Sequence, residues 1–135
     1  MITKLLQEIE ELVGSDWFAM DMGGKMEEIV ALGGGYELVE PILQIMERHP
    51  MDDFGMPGEM VHFIEKFSPE YEVLLVESLK RRPALHTVWM LNRCINGSAD
   101  KESHIALLKE IAENDNIEQE IRESALDFYK FQTKA

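Results

Sequence analysis

Apolar residues recur along this chain at the spacing of an α-helix, and short polar or glycine-rich segments separate the runs. In the first run they occupy positions 2, 5, 6, 9, 12 and 13, which fall on one stripe of a helix. The same spacing predicts helices over residues 36–48, 60–67, 69–82, 85–95, 100–113 and 117–131. No segment has the alternating pattern of a strand, so the sequence predicts an all-α fold.

The helices after residue 35 form a weak repeat of helix, break and helix. Leu38, Val73 and Ile105 occupy matching places in the first helix of each pair, at offsets of 35 and 32. Such a period is typical of helical-hairpin solenoids, whose repeats bury their faces against neighbours. We therefore expect one domain over residues 1–135. It would consist of N-terminal helices in 1–35 and a short right-handed α-solenoid of about three helical hairpins in 36–132.

Glycine and proline residues predict where the helices end and begin. Gly23-Gly24 is expected to break the second helix, and the glycines at 33–35 to form a flexible connection. These three glycines lack the Lys-Ser/Thr pair of a phosphate-binding loop. Pro41 predicts a kink or a late start of the helix over 36–48. Ser68-Pro69-Glu70 has the composition of a helix start, with Ser68 as the cap.

The chain is strongly acidic, and the excess of negative charge is uneven. Asp and Glu number 26 against 13 Lys and Arg, which gives a net charge of −13. Residues 1–60 hold 13 acidic and 3 basic residues, whereas residues 61–135 hold 13 and 10. Phosphate neutralisation needs a basic surface, so nucleic acid and anionic membranes are disfavoured as partners. An acidic surface instead attracts a basic protein and speeds its encounter.

The sequence also predicts a cytoplasmic protein. Its start leads into an amphipathic helix rather than a secretory leader, and no fully apolar run is longer than the four residues of 73–76, which is too short to span a bilayer. Cys94 is the only cysteine and cannot form an internal disulfide, which suits a reducing compartment.

A row of acidic residues is the leading candidate for a partner-binding surface. The spacing of 3, 4 and 3 places four polar residues on the helical face opposite the apolar stripe, and two aspartates follow in the adjoining loop: Glu37, Glu40, Gln44, Glu47, Asp52 and Asp53. The alternative is an ordinary solvated face.

The motif Glu59-x-x-His62 has the spacing of half a di-iron site, but a complete site needs a second copy, which this chain lacks. The pattern favours a structural histidine bonded to Glu59, Glu65 or a loop carbonyl, and we expect no metal and no cofactor. Glu59 and His62 are retained as candidate partner contacts. An enzyme built on His62 would require bound metal or a deep polar pocket.

Trp89, Asn92 and Arg93 form a second group of candidate contacts. A tryptophan at the edge of a core stripe beside Asn and Arg is typical of an interface hot spot. The same composition suits a buried anchor whose asparagine holds a neighbouring turn. The sequence leaves both interpretations open.

Two parts of the chain resemble known families. Residues 114–129 resemble the second half of a HEAT-type repeat in their acidic turn, their apolar-Arg-x-x-Ala-Leu core and their closing aromatic residues. Four strings within residues 33–97 resemble immunity proteins of contact-dependent growth inhibition and related polymorphic toxin systems. They are Gly-Gly-Gly-Tyr-Glu-Leu from 33, Phe-Gly-Met-Pro-Gly from 54, Val-His-Phe-Ile-Glu from 61 and Thr-Val-Trp-Met-Leu-Asn-Arg from 87.

The second resemblance implies a protein that neutralises a cognate toxin domain in the cytoplasm of the producing cell. Toxin-contacting residues vary within such families, so the resemblance assigns no binding residue. We expect a non-enzymatic immunity protein that occludes the basic C-terminal domain of a bacterial toxin, in many systems a nuclease. The alternative is a HEAT-like adaptor or assembly chaperone that binds a basic intracellular protein.

Overall fold

The structure is a computed structural model that describes residues 2–15, 18–52, 54 and 58–134. Within these residues it contains eight α-helices, one 3-10 turn and no strand, as the apolar spacing predicted. The helices are α1 (Ile2–Glu11), α2 (Phe18–Ala31), α3 (Val39–Arg48), α4 (Glu59–Glu65), α5 (Tyr71–Arg81), α6 (Leu85–Ile95), α7 (Lys101–Glu113) and α8 (Gln119–Thr133). The 3-10 turn covers Tyr36–Leu38.

Helix α2 differs from its predicted form at both of its glycine clusters. It runs through Gly23-Gly24 without a break, because Met22, Met26 and Ile29 anchor its inner face in the core. The glycines that follow it are not a flexible connection. Gly33 has a φ of +89° and its N–H donates to the Val30 carbonyl at 3.0 Å. The N–H of Gly34 donates to the Ile29 carbonyl at 2.9 Å, which completes a Schellman cap.

Two other helices begin close to a proline, and both begin later than the apolar spacing predicted. Helix α3 begins late, at Val39, so that Pro41 lies in its first turn, where no backbone N–H is needed. Helix α5 begins at Tyr71, later than predicted, and no side chain caps it. The prediction that Ser68 caps this helix was therefore wrong, and Ser68-Pro69 belongs to the turn before the helix.

The core confirms most of the predicted inward-facing residues but not the register of the repeat. In α3 the predicted apolar stripe is buried, and in α6 Val88, Leu91 and Ile95 are fully buried. By contrast, the three residues that marked the repeat lie in different environments. Leu38 is buried in the 3-10 turn, Ile105 is half-buried, and Val73 is 64% exposed. The matching of these three positions was therefore wrong.

Neighbouring helices pack in pairs and are joined by arginine–carboxylate ion pairs. Helix α1 packs on α2, α2 on α4, α3 on α5, α5 on α6 and α7 on α8, while α6 also contacts α7 and α8. All five arginines pair with carboxylates. Three of these pairs join two helices, α3 with α1, α5 with α3 and α6 with α4, and the Arg82–Glu118 pair joins the residues that flank α5 and α8. In the part of the chain that the structure describes, no helix combines the length and apolar character needed to cross a membrane.

Candidate functional site

The predicted acidic row on α3 is partly neutralised by helix α5. The Arg81 guanidinium lies 2.7 Å from the Glu47 carboxylate and 3.5 Å from that of Glu40. The hydroxyl of Ser78 also donates to Glu47 at 2.7 Å, and the Glu47 side chain is only 11% exposed. Glu37 and Gln44 are exposed. Arg81 of α5 therefore contacts two of the three carboxylates in the row, but only Glu47 is shielded from solvent, since the Glu40 side chain is 46% exposed.

Of the two loop aspartates that were expected to extend this row, the structure describes only Asp52. Asp52 is half-buried, with its carboxylate 3.7 Å from the His49 ring. Asp53 lies outside the described residues. The ring of His49 also contacts Glu10 at 2.9 Å, and Arg48 donates two hydrogen bonds of 2.7 Å to the same carboxylate. Hydrogen bonds from Arg48 lower the pKa of Glu10 below its usual value.

Glu59 and His62 lie together on the wall of a surface groove, but they are not bonded to each other. The groove has a volume of about 410 Å³, and Met26, Val30 and Phe63 supply its apolar lining. Glu65, the other expected partner of His62, instead accepts two hydrogen bonds from Arg93. Among the described residues His62 pairs with no carboxylate, so the expected bonds to Glu59 and Glu65 are not formed, while most of the loop that could offer a carbonyl lies outside the described residues.

Helix α2 forms the ridge between this groove and a second one. The second groove has a volume of about 450 Å³ and runs between α1 and α2, with Leu5 and Leu32 in its wall and Glu8 and Glu28 at its edge. We call the exposed residues on and beside this ridge the α2 face: Glu27, Glu28, Val30, Leu32 and Glu59. Sequence reasoning selected only Glu59 from this set.

The α2 face combines exposed apolar side chains with carboxylates that form no ion pair among the described residues. Val30 and Leu32 are each 45% exposed, although both are large aliphatic residues. Glu27, Glu28 and Glu59 are exposed, and the described part of the chain offers none of them an ion pair within 4.0 Å. Lys66 also lines the first groove and Lys4 the second, so carboxylates outnumber lysines at this surface by four to two. Apolar surface edged by predominantly negative charge is typical of a protein-binding site.

Trp89, Asn92 and Arg93 form a packed group on α6. The Arg93 guanidinium lies 5.0 Å from the Trp89 ring centre, and the centre of the His86 ring lies 5.3 Å from the same point. Asn92 accepts a hydrogen bond of 2.8 Å from Gln132 on α8. Trp89 is half-buried and packs on the core. These contacts favour the anchor interpretation, with Asn92 holding a helix rather than a turn.

The structure also assembles a thiol, an imidazole and a carboxylate that the sequence did not bring together. The His104 ring nitrogen lies 3.0 Å from the Glu72 carboxylate, and the Ser98 hydroxyl donates to the same oxygen at 2.7 Å. One ligand atom from each of Glu72, Cys94 and His104 lies within 4.8 Å of the others. Burial raises the pKa of the Cys94 thiol to about 12, and the Glu72 charge adds to the rise.

No local sequence signal could have predicted this cluster. Glu72 is in the first turn of α5, Cys94 in the last turn of α6 and His104 in the first turn of α7. Only the packing of three helices brings them together. The sequence did contain a weak signal for the α2 face, because Val30 and Leu32 lie next to Glu27 and Glu28 in the most acidic half of the chain.

Comparison of the chain with models of known protein families, with curated proteins and with solved structures found no match. The geometry of the α2 face and of the Glu72, Cys94 and His104 cluster is therefore the basis for assigning a function.

Proposed function

We propose that this chain is a non-enzymatic immunity protein that binds a basic bacterial toxin domain through the α2 face. The observation that carries the proposal is the pairing of 45%-exposed Val30 and Leu32 with the unpaired carboxylates of Glu27, Glu28 and Glu59. The apolar side chains would supply buried area, and the carboxylates would select a cationic partner. Binding would occur in the cytoplasm of the producing cell.

A nuclease toxin is the partner class that best complements this surface. A nuclease must hold a polyanion, so the surface around its active site is basic. An acidic protein placed over that surface competes with the nucleic acid for the same charges and also blocks access to the active site. Opposite charges raise the association rate as well, by roughly 10–1,000-fold over a neutral pair at low salt. Steric and electrostatic occlusion would therefore act together.

No arginine neutralises the carboxylates of the α2 face, because all five arginines pair with carboxylates elsewhere. Arginine forms two parallel hydrogen bonds with a carboxylate, and here each arginine is held in an ion pair within the protein. The positive charges left on the described surface are mainly lysines, and residues 1–60 contain only two of these, Lys4 and Lys25. Lys25 pairs with Glu8 at 3.3 Å.

We infer that helices α5–α8 form a short solenoid that supports this binding surface. Helices α5 and α6 pack as one hairpin and α7 and α8 as another, while α6 also packs on α8, as successive repeats would. Helix α4 packs mainly on α2 rather than on α3, so the first predicted hairpin would be the irregular end of the array.

The remaining predicted contacts fall into two groups with different roles in the proposal. Glu37, Gln44 and Asp52 would extend the acidic surface, but Arg81 reduces the charge that Glu40 and Glu47 offer. Trp89, Asn92 and Arg93 would act chiefly by holding α6 against its neighbours. His62, on the groove wall beside Glu59, would contact the partner at the edge of the α2 face.

Co-expression with the adjacent gene, which the proposal expects to encode the toxin, tests the function directly. The unmodified protein should restore growth, and the triple variant Glu27→Lys, Glu28→Lys and Glu59→Lys should lose most of the protection. A matched variant, Glu113→Lys, Glu123→Lys and Asp127→Lys, changes the charge equally at exposed positions of α7 and α8 and should protect fully.

Three results would contradict or redirect the proposal. Failure of the unmodified protein to protect would refute the immunity function. Equal protection by both triple variants would refute the α2 face as the docking surface. Tight binding of the neighbouring protein without protection would favour the adaptor or chaperone alternative.

A further inference from the structure

We propose that Glu72, Cys94 and His104 form a zinc-binding site that joins helices α5, α6 and α7. Their three ligand atoms already lie within 4.8 Å of one another. Thiolate, imidazole and carboxylate are the three ligand types that zinc uses in proteins, and a hard cation such as Mg²⁺ or Ca²⁺ would not select the thiolate. The site is separate from the α2 face and does not depend on the proposed function.

The distances fit a tetrahedral zinc ion after a small side-chain movement. Zinc bonds of about 2.0–2.3 Å place neighbouring ligand atoms roughly 3.3–3.6 Å apart. The Glu72 oxygen and the His104 nitrogen are 3.0 Å apart, so they need to separate only slightly. The Cys94 sulfur needs to approach the other two ligand atoms by up to about 1.5 Å, which would break its hydrogen bond of 3.3 Å to the Leu91 carbonyl.

The charge balance of the cluster also suits a divalent cation. Glu72 is 14% exposed, and within the described residues no lysine or arginine forms an ion pair with its carboxylate. Its partners are the Ser98 hydroxyl and the His104 ring. On zinc binding, the Cys94 thiol would release its proton to solvent. The thiolate and the carboxylate together would then neutralise the two charges of the ion.

The surroundings provide both an outer contact and a route for the metal. Ser98 donates to the Glu72 carboxylate at 2.7 Å and would hold that ligand in position. Glu72 lies between two surface grooves. One, of about 580 Å³, is also lined by His104, and the other, of about 260 Å³, by Cys94. Zinc and the water that would complete its coordination can therefore reach the ligand atoms from the surface.

Cobalt titration of the full chain, freed of metal with a chelator and kept reduced, tests the site. Cys94 is the only cysteine, so a thiolate-to-cobalt absorption band can arise only there. We expect the band to saturate at one equivalent of Co²⁺ and to disappear when Zn²⁺ is added. Glu72→Gln keeps the shape of the side chain and should weaken binding at least tenfold, as should His104→Ala. Ser98→Ala should weaken it by roughly tenfold.

The matched control is His62→Ala, which removes an exposed histidine outside the cluster and should leave the titration unchanged. Circular dichroism checks that each variant is folded. Zn²⁺ should also raise the thermal midpoint of the unmodified protein but not that of Glu72→Gln. Absence of the cobalt band in the unmodified protein would overturn the proposal. An undiminished band in both Glu72→Gln and His104→Ala would do the same, because cobalt would then be binding Cys94 without these ligands.

Discussion

Gly24, in the middle of α2, and Gly34, in the turn after it, have opposite structural requirements. A Cβ atom on Gly24 would meet no heavy atom within 4 Å, whereas one on Gly34 would lie 2.6 Å from Leu38 Cδ1 and 2.9 Å from the Ile29 carbonyl oxygen. Gly24 is in a helix interior, where glycine costs about 0.5–1 kcal/mol relative to alanine. Alanine can therefore replace Gly24 without a clash, whereas at Gly34 it would clash with Leu38 and the Ile29 carbonyl.

We predict that Gly24→Ala stabilises the protein by about 0.5–1 kcal/mol and that Gly34→Ala destabilises it by about 1–3 kcal/mol. Urea denaturation of the two variants measures both changes. Equal effects of the two substitutions would show that α2 does not run through Gly24 and that the turn after it is not closely packed.

Glu47 is predicted to act as a structural residue at the α3–α5 contact. It accepts a hydrogen bond from Ser78, which is fully buried, and pairs with Arg81. Glu47→Ala leaves the buried hydroxyl without this acceptor, so we expect a loss of about 1–3 kcal/mol of unfolding free energy. Glu40→Ala removes an exposed contact of 3.5 Å to Arg81 and should cost less than about 1 kcal/mol.

A double variant separates this bond from other effects of the substitution. If the Ser78–Glu47 hydrogen bond accounts for the loss, Ser78→Ala should be less harmful in the Glu47→Ala background than in the unmodified protein. Additive losses would contradict the assigned bond.

At the scale of helices, the Arg82–Glu118 pair should make stability depend on pH. Hydrogen bonds from Arg82 lower the pKa of Glu118 below its usual value of 4.5. The folded state therefore favours the carboxylate. The contribution of Glu118 is present above pH 4.5 and is lost as the pH falls through the lower, folded-state pKa.

We predict that Glu118→Gln reduces the unfolding free energy by about 0.5 kcal/mol at pH 7, since both side chains are partly exposed. The difference from the unmodified protein should vanish at the acid end of the titration. Arg82→Gln should remove the same pH-dependent contribution. A difference that persists unchanged at low pH would show that the ion pair is not its source.

The helices could be predicted from the sequence where local signals agree with packing. The apolar stripes of α3 and α6 predicted their buried faces, and of the kink or late start that Pro41 predicted, the late start of α3 is the one observed. The predicted break at Gly23-Gly24 was wrong, because burial of Met22, Met26 and Ile29 outweighs the low helix propensity of two glycines. The predicted matching of Leu38, Val73 and Ile105 was wrong because it assumed that each apolar residue faces the core. A single aliphatic residue can also face solvent, as Val73 does.

At the scale of the whole molecule, the sequence located the acidic half of the chain but not the surfaces within it. Helical spacing places Glu40 and Glu47 on one face, yet it does not reveal that Arg81 of α5 lies opposite them. Likewise, Glu72, Cys94 and His104 meet only through packing of helices that are distant in sequence. Long-range contacts therefore decide which charges remain available for binding.

The central claim is that the α2 face captures a basic toxin domain, and the association rate constant tests it most directly. It should be measured by stopped-flow mixing with the toxin domain that the proposal expects the adjacent gene to encode, at low and at high salt. We predict that Glu27→Lys, Glu28→Lys and Glu59→Lys together lower this rate at low salt by about tenfold or more. The same triple variant should remove most of its salt dependence, while Glu113→Lys, Glu123→Lys and Asp127→Lys together have a much smaller effect. Equal rates and equal salt dependence for the two triple variants would contradict the account.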